Sequence, residues 1–254
     1  MPINTILVHT DRSPGCAHRV RLAVQLAQRL GARLIGVGLG DDDLESAGEG
    51  SPRTLEEDFQ ALLRDARLQG EWRPATGLED EFIARQATTA DLVVVGQLDP
   101  TLTAGLGPEG VIVSCGRPVL VVPCATPRQA WSGDTVLIAW NASREATRAV
   151  YDAQPLLALS KAVIVLAIDT DHAQDWGGRG LAHDLVRRGC SARAETMATG
   201  KRTMSETILL RANELGADLI VMGAYRRSPL GELFFGGLSH AMLRDTTIPL
   251  LMTH

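Results

Sequence analysis

Cysteine is scarce in this sequence: Cys16, Cys115, Cys124 and Cys190 are its only thiols, and they stand far apart. Neither a C-x-x-C pair nor a zinc-ligand spacing can be built from them, so they read as small buried hydrophobes of a reducing compartment. Basic charge is also short. Lys and Arg number 25 against 30 Asp and Glu, a formal charge of -5. Nucleic-acid recognition, which needs a basic face to neutralise phosphates, is therefore not expected. No apolar run approaches the ~20 residues that a membrane-crossing helix requires. The chain enters Thr5-Ile6-Leu7-Val8 almost at once, without the basic segment, apolar core and small-residue site of a signal peptide. A cytoplasmic protein is expected, with neither membrane nor nucleic acid as partner. Catalytic signatures are missing too. There is no G-x-S-x-G, no G-x-x-x-x-G-K-[ST], no H-E-x-x-H, and no G-x-G-x-x-G after the first strand. The six histidines share no ligand spacing, so no metal site is assigned. Beyond slow nucleotide hydrolysis, catalysis has no motif behind it.

What is present is a repeat. With 45% hydrophobic residues and 25 glycines, the composition is that of a globular chain with a sizeable core. The segment Thr5-Ile6-Leu7-Val8-His9-Thr10-Asp11-Arg12-Ser13 lines up with Thr135-Val136-Leu137-Ile138-Ala139-Trp140-Asn141-Ala142-Ser143. Asp11 thus matches Asn141, and Ser13 matches Ser143. In the same register Val20, Ala23 and Leu26 fall on Val150, Ala153 and Leu156, at the spacing of a helix face turned to a sheet. Later, Asp91-Leu92-Val93-Val94-Val95-Gly96 matches Asp218-Leu219-Ile220-Val221-Met222-Gly223, and Pro118 to Val122 matches Pro249 to Thr253.

Each copy alternates short, continuously apolar strands with amphipathic helices, the pattern of a parallel sheet covered on both faces. Helices are predicted over Gly15–Leu30, Thr54–Gln69, Leu78–Thr89, Arg144–Leu159, Gly180–Arg188 and Thr203–Leu215. Gly31, Gly189 and Gly216 act as stops. Two tandem doubly wound α/β domains are expected, at 1–124 and 134–254, with Cys124 to Asp134 as linker.

In such sheets ligands bind beyond the carboxyl ends of the strands, where the strand order reverses. After the fourth strand of the second copy comes Met222-Gly223-Ala224-Tyr225-Arg226, and later Gly236-Gly237-Leu238-Ser239 opens a helix. Glycines there let backbone N–H groups approach an anion at a helix N-terminus, which suits phosphate. This stretch resembles the universal stress protein family, whose nucleotide-binding members carry G-x2-G-x9-G-[ST] at this place. The resemblance covers nearly the whole chain, twice, and implies the adenine nucleotide alpha-hydrolase-like fold. It further implies a stress-response or regulatory role, association into a homodimer, and ATP or another adenine nucleotide as ligand. By that resemblance Asn141 takes the nucleoside-contacting position, with Ala139 in the strand that leads to it. The Ala167 backbone would read the adenine edge. Met222, Gly223, Arg226, Gly236, Gly237, Leu238 and Ser239 form the phosphate end.

The sequence also departs from that pattern. Arg226 replaces the second glycine and Gly237 the hydroxyl residue; Arg226 and Arg227 either bind phosphate oxygens or are simply solvated. Trp140 either stacks on a base or fills core space. In the first copy, Asp99 stands where a phosphate-facing glycine belongs and the loop is shorter, so that copy reads as degenerate. Asp11 there serves either to cap the following helix or to bind a nucleoside. A scaffold or partner-binding protein without nucleotide stays open as the alternative.

Overall fold

The computed structural model describes residues 2–39, 54–75, 79–98, 107–124, 131–168, 178–224 and 237–254. The chain divides into two compact units, Pro2–Ala125 and Thr126–His254.

The first unit runs β1 (Thr5–His9), α1 (Cys16–Leu30), β2 (Arg33–Leu39), α2 (Leu55–Ala66), β3 (Gly70–Ala75), α3 (Glu79–Gln86) with a following 3-10 turn, β4 (Leu92–Gly96), α4 (Pro108–Ser114) and β5 (Val119–Val122). Its strands lie in the order β3-β2-β1-β4-β5, all parallel. The second unit runs β6 (Thr135–Trp140), α5 (Arg144–Asp152), α6 (Gln154–Leu157), β7 (Ala162–Ile168), α7 (Arg179–Arg187), β8 (Ala192–Met197), α8 (Met204–Glu214), β9 (Leu219–Gly223), α9 (Gly237–Asp245) and β10 (Leu250–Thr253). Its order, β8-β7-β6-β9-β10, is the same arrangement, again all parallel. Parallel strands need helical crossovers, which cover both faces of each sheet and explain why Ile6, Leu7, Val8 and Leu92 to Val95 are all fully buried.

The repeat persists at the level of single hydrogen bonds. Asp11 Oδ1 accepts from the Ser13 backbone N–H at 3.0 Å, and Asn141 Oδ1 from that of Ser143 at 3.1 Å. Asp91 Oδ2 accepts from the N–H groups of Asn4 and Thr5 at 2.9 and 3.0 Å, and Asp218 Oδ2 from that of Asp134 at 2.9 Å. Each aspartate thereby pins the entry of a first strand to the fourth. Val20, Ala23 and Leu26 are buried, as are Val150, Ala153 and Leu156.

Helix ends follow local chemistry. Gly31 is left-handed (φ 67) and closes α1, and Gly189 and Gly216 also have positive φ just past α7 and α8. The single helix expected over Arg144–Leu159 is instead two, because Pro155 lacks the N–H that would continue α5. Thr54 and Thr203 each complete a capping box with the glutamate three residues on. Replacing Thr203 by alanine is expected to cost about 1 kcal/mol, read as a lower urea midpoint at constant slope. Among the described residues, no helix is long and apolar enough to cross a membrane.

Candidate functional site

In the second unit the strand order reverses between β6 and β9, so the crevice at their carboxyl ends falls at Trp140, Asn141 and Gly223. A cavity of about 70 Å³ opens there. The end of β6 supplies Ala139, Trp140 and Asn141, β9 supplies Met222 and Gly223, and β7 supplies Leu166 and Ile168. Met204 and Ile208, one turn apart on α8, and Leu238 at the head of α9 close the remaining sides.

Five of the ten residues singled out in the sequence, Ala139, Asn141, Met222, Gly223 and Leu238, therefore meet around one space. Ala167 does not line it. Side chains alternate along a strand, and with Leu166 and Ile168 turned to the cavity, Ala167 belongs to the other face of the sheet, fully buried. Gly237 is exposed at the start of α9, and Ser239 is buried in its first turn; neither reaches the cavity wall. Arg226 and Gly236, with Arg227 and Asp99, lie outside the described residues. Trp140 is half-buried and forms part of the cavity wall.

Asn141 is exposed, and its Oδ1 is committed to the turn that presents Ser143 as N-cap of α5. Its amide nitrogen has no partner among the described residues and is left to donate outward. Gly223 has a packing reason to be glycine. A Cβ there would lie 2.6 Å from the Glu145 carbonyl carbon and still closer to the Ala146 nitrogen, both backbone of α5. The strand and the helix touch main chain to main chain.

The matching crevice of the first unit is filled from within. Arg19 of α1 is 3% exposed; its Nε donates to the His9 carbonyl at 2.7 Å and its Nη2 stands 2.8 Å from Asp11 Oδ1. A Cβ on Gly96, at the end of β4, would collide with Arg19 Nη1. The guanidinium thus sits between the ends of β1 and β4. By the repeat register the second unit has Ala149 at this position. Asp11 does not cap α1, whose N-cap is Gly15, with no side-chain bond. Its carboxyl is subject to burial, which pushes its pKa up, but the charge of Arg19, the Ser13 bond and His9 outweigh this and hold it below the usual carboxylate range.

Residues 133–254 match the model of the universal stress protein family. The second half of the chain belongs to that family. The whole chain has the fold of a universal stress protein from Archaeoglobus fulgidus DSM 4304, with a TM-score of 0.72, 16% identity, and coverage of 100% of this chain and 99% of that one. It is also similar to a functionally unknown protein from Pseudomonas aeruginosa PAO1, with a TM-score of 0.64, 17% identity, and coverage of 99% and 92%. At these identities the likeness shows the fold alone. No curated protein matches the chain.

Sequence reasoning missed Arg19, Met204 and Ile208. Arg19 carried a readable signal, since Cys16, Arg19, Val20, Ala23, Leu26 and Ala27 fall on one helical stripe and the arginine interrupts an inward face. The α8 pair carried none, because Met and Ile one turn apart look like any buried helix face.

Proposed function

We infer that this universal stress protein is a cytoplasmic regulatory protein of the stress response whose second domain holds an adenine nucleotide. The observation that carries the reading is the meeting of Ala139, Asn141, Met222, Gly223 and Leu238 from three separate elements around one crevice at the strand-order reversal. The apolar walls from Leu166, Ile168, Met204 and Ile208 suit a base. The Asn141 amide suits a ribose hydroxyl, and the head of α9 at Gly237 to Ser239 suits phosphate. Binding requires the space to widen, and Met204, 42% exposed at the first position of α8, is the wall residue freest to swing out.

One observation favours the rival reading of a scaffold without nucleotide. At about 70 Å³ the cavity is far below the roughly 300–1,000 Å³ typical of small-molecule sites.

The two readings separate by experiment. Protein purified without added ligand is denatured, any released nucleotide is identified, and ATP, ADP and AMP are titrated by calorimetry. The nucleotide reading expects binding that Met204→Trp abolishes at unchanged melting temperature and that Asn141→Ala weakens about tenfold. Folded protein that releases no nucleotide and takes up none at millimolar concentration leaves the scaffold reading standing.

A further inference from the structure

A cavity of about 530 Å³ lies in the first unit, between α1 and α2 at the end of β1. It is not the counterpart of the second unit's crevice. That crevice is bounded by α8 and α9, whose equivalents in the first unit are α3 and α4. The space exists because α1 faces α2 with Cys16 and Ala17, which are too short to fill the gap between two helices.

Its chemistry is one-sided. Val20, Leu55 and Leu62 make an apolar floor, while the charged residues on the lining are three carboxylates, Asp11, Asp58 and Asp65, against one guanidinium, Arg12. Asp11 is committed to Arg19. Asp58 and Asp65 are exposed and have no partner among the described residues. They are seven residues apart on α2, so they project from nearly the same side of the helix, about 10 Å apart along its axis. Leu55 and Leu62, equally spaced, run beside them. Two anionic points with Leu62 between them match a linear molecule with a cation at each end and methylenes between.

We propose that the groove between α1 and α2 binds a linear aliphatic diamine or polyamine, with terminal ammonium groups on Asp58 and Asp65 and the methylene chain along Leu62 and Val20. The volume is that of a small-molecule site and is too small for a protein helix. An anionic ligand is repelled by the same carboxylates that hold the amines. The site is independent of the nucleotide reading, since it shares no residue with the second unit.

The test is calorimetry on the full chain at low salt with an eight-carbon linear diamine, the four-carbon diamine, octylamine and the eight-carbon diol. The eight-carbon diamine is expected to bind at least tenfold more tightly than octylamine or the four-carbon diamine, and the diol not at all. Asp58→Asn and Asp65→Asn should each bring the diamine down to the affinity of the monoamine. Ala17→Leu, at an exposed position, should abolish binding without lowering the melting temperature. The proposal is overturned if the diol binds as well as the diamine, if the asparagine variants bind unchanged, or if folded protein gives no diamine binding at millimolar concentration. Nucleotide titrations on the same variants should be unaltered, so failure here leaves the nucleotide reading intact.

Discussion

Gly223→Ala is expected to destabilise the second unit by about 3 kcal/mol, whether or not any ligand binds there. The added Cβ meets main chain and not a side-chain tip, at Glu145 and Ala146, so no rotamer change relieves it. The alternative is for α5 to move away from β9. That motion pulls the Ala146 N–H from the Ser143 hydroxyl, a bond of 3.1 Å that caps the helix and contributes about another 1 kcal/mol. Gly237→Ala makes the contrast. Among the described residues, nothing beyond its chain neighbours and its own helix lies within 4 Å of a Cβ there, and its φ is not in the left-handed region. Alanine in a helix is favoured over glycine by up to about 1 kcal/mol, so this variant should be slightly more stable. Urea denaturation of both proteins, with hydrogen exchange on β9 and α5 amides to locate the change, checks the pair. Equal effects at the two glycines would contradict the packing account of Gly223.

The same two glycines show how far a sequence can be read. In the sequence both belong to one ligand motif, and only coordinates separate a glycine that allows helix and strand to touch from one with open space around it. The architecture was easier. Continuous apolar strands, helices punctuated by Gly31, Gly189 and Gly216, and a self-match anchored on Asp91 and Asp218 already demanded two copies of a parallel sheet. The physical reason is that strand burial and helix caps are local and periodic, whereas a site is a convergence of distant residues. Asn141, Met222 and Leu238 were reachable by resemblance. Met204 and Ile208 were not, because a wall residue on α8 follows the same apolar periodicity as a core residue. Ala167 was singled out for its backbone at the end of β7, which the direction of its side chain does not decide. Along that strand it is the side chains of Leu166 and Ile168 that face the cavity.

Asp11→Ala should cost more than Arg19→Met, although the two residues form one pair. Removing the carboxylate strands a guanidinium that is 3% exposed with little beyond the His9 carbonyl to offset its charge, a loss of about 3–5 kcal/mol. Removing the arginine leaves a carboxylate that is 30% exposed and still bonded to Ser13, and methionine refills part of the space. Water then supports much of the charge, and about 1–2 kcal/mol is expected. The pH dependence follows from the lowered Asp11 pKa. The folded state gives up this proton more readily than the unfolded state, so the contribution is complete above the unfolded value near 4. It is lost as pH falls through the still lower folded value. Stability of the first unit in the wild-type chain should therefore drop more steeply in acid than in Asp11→Ala, as read from urea midpoints. With Arg19 held there, the ends of β1 and β4 carry a permanent internal cation where the second unit has Ala149 and an open crevice.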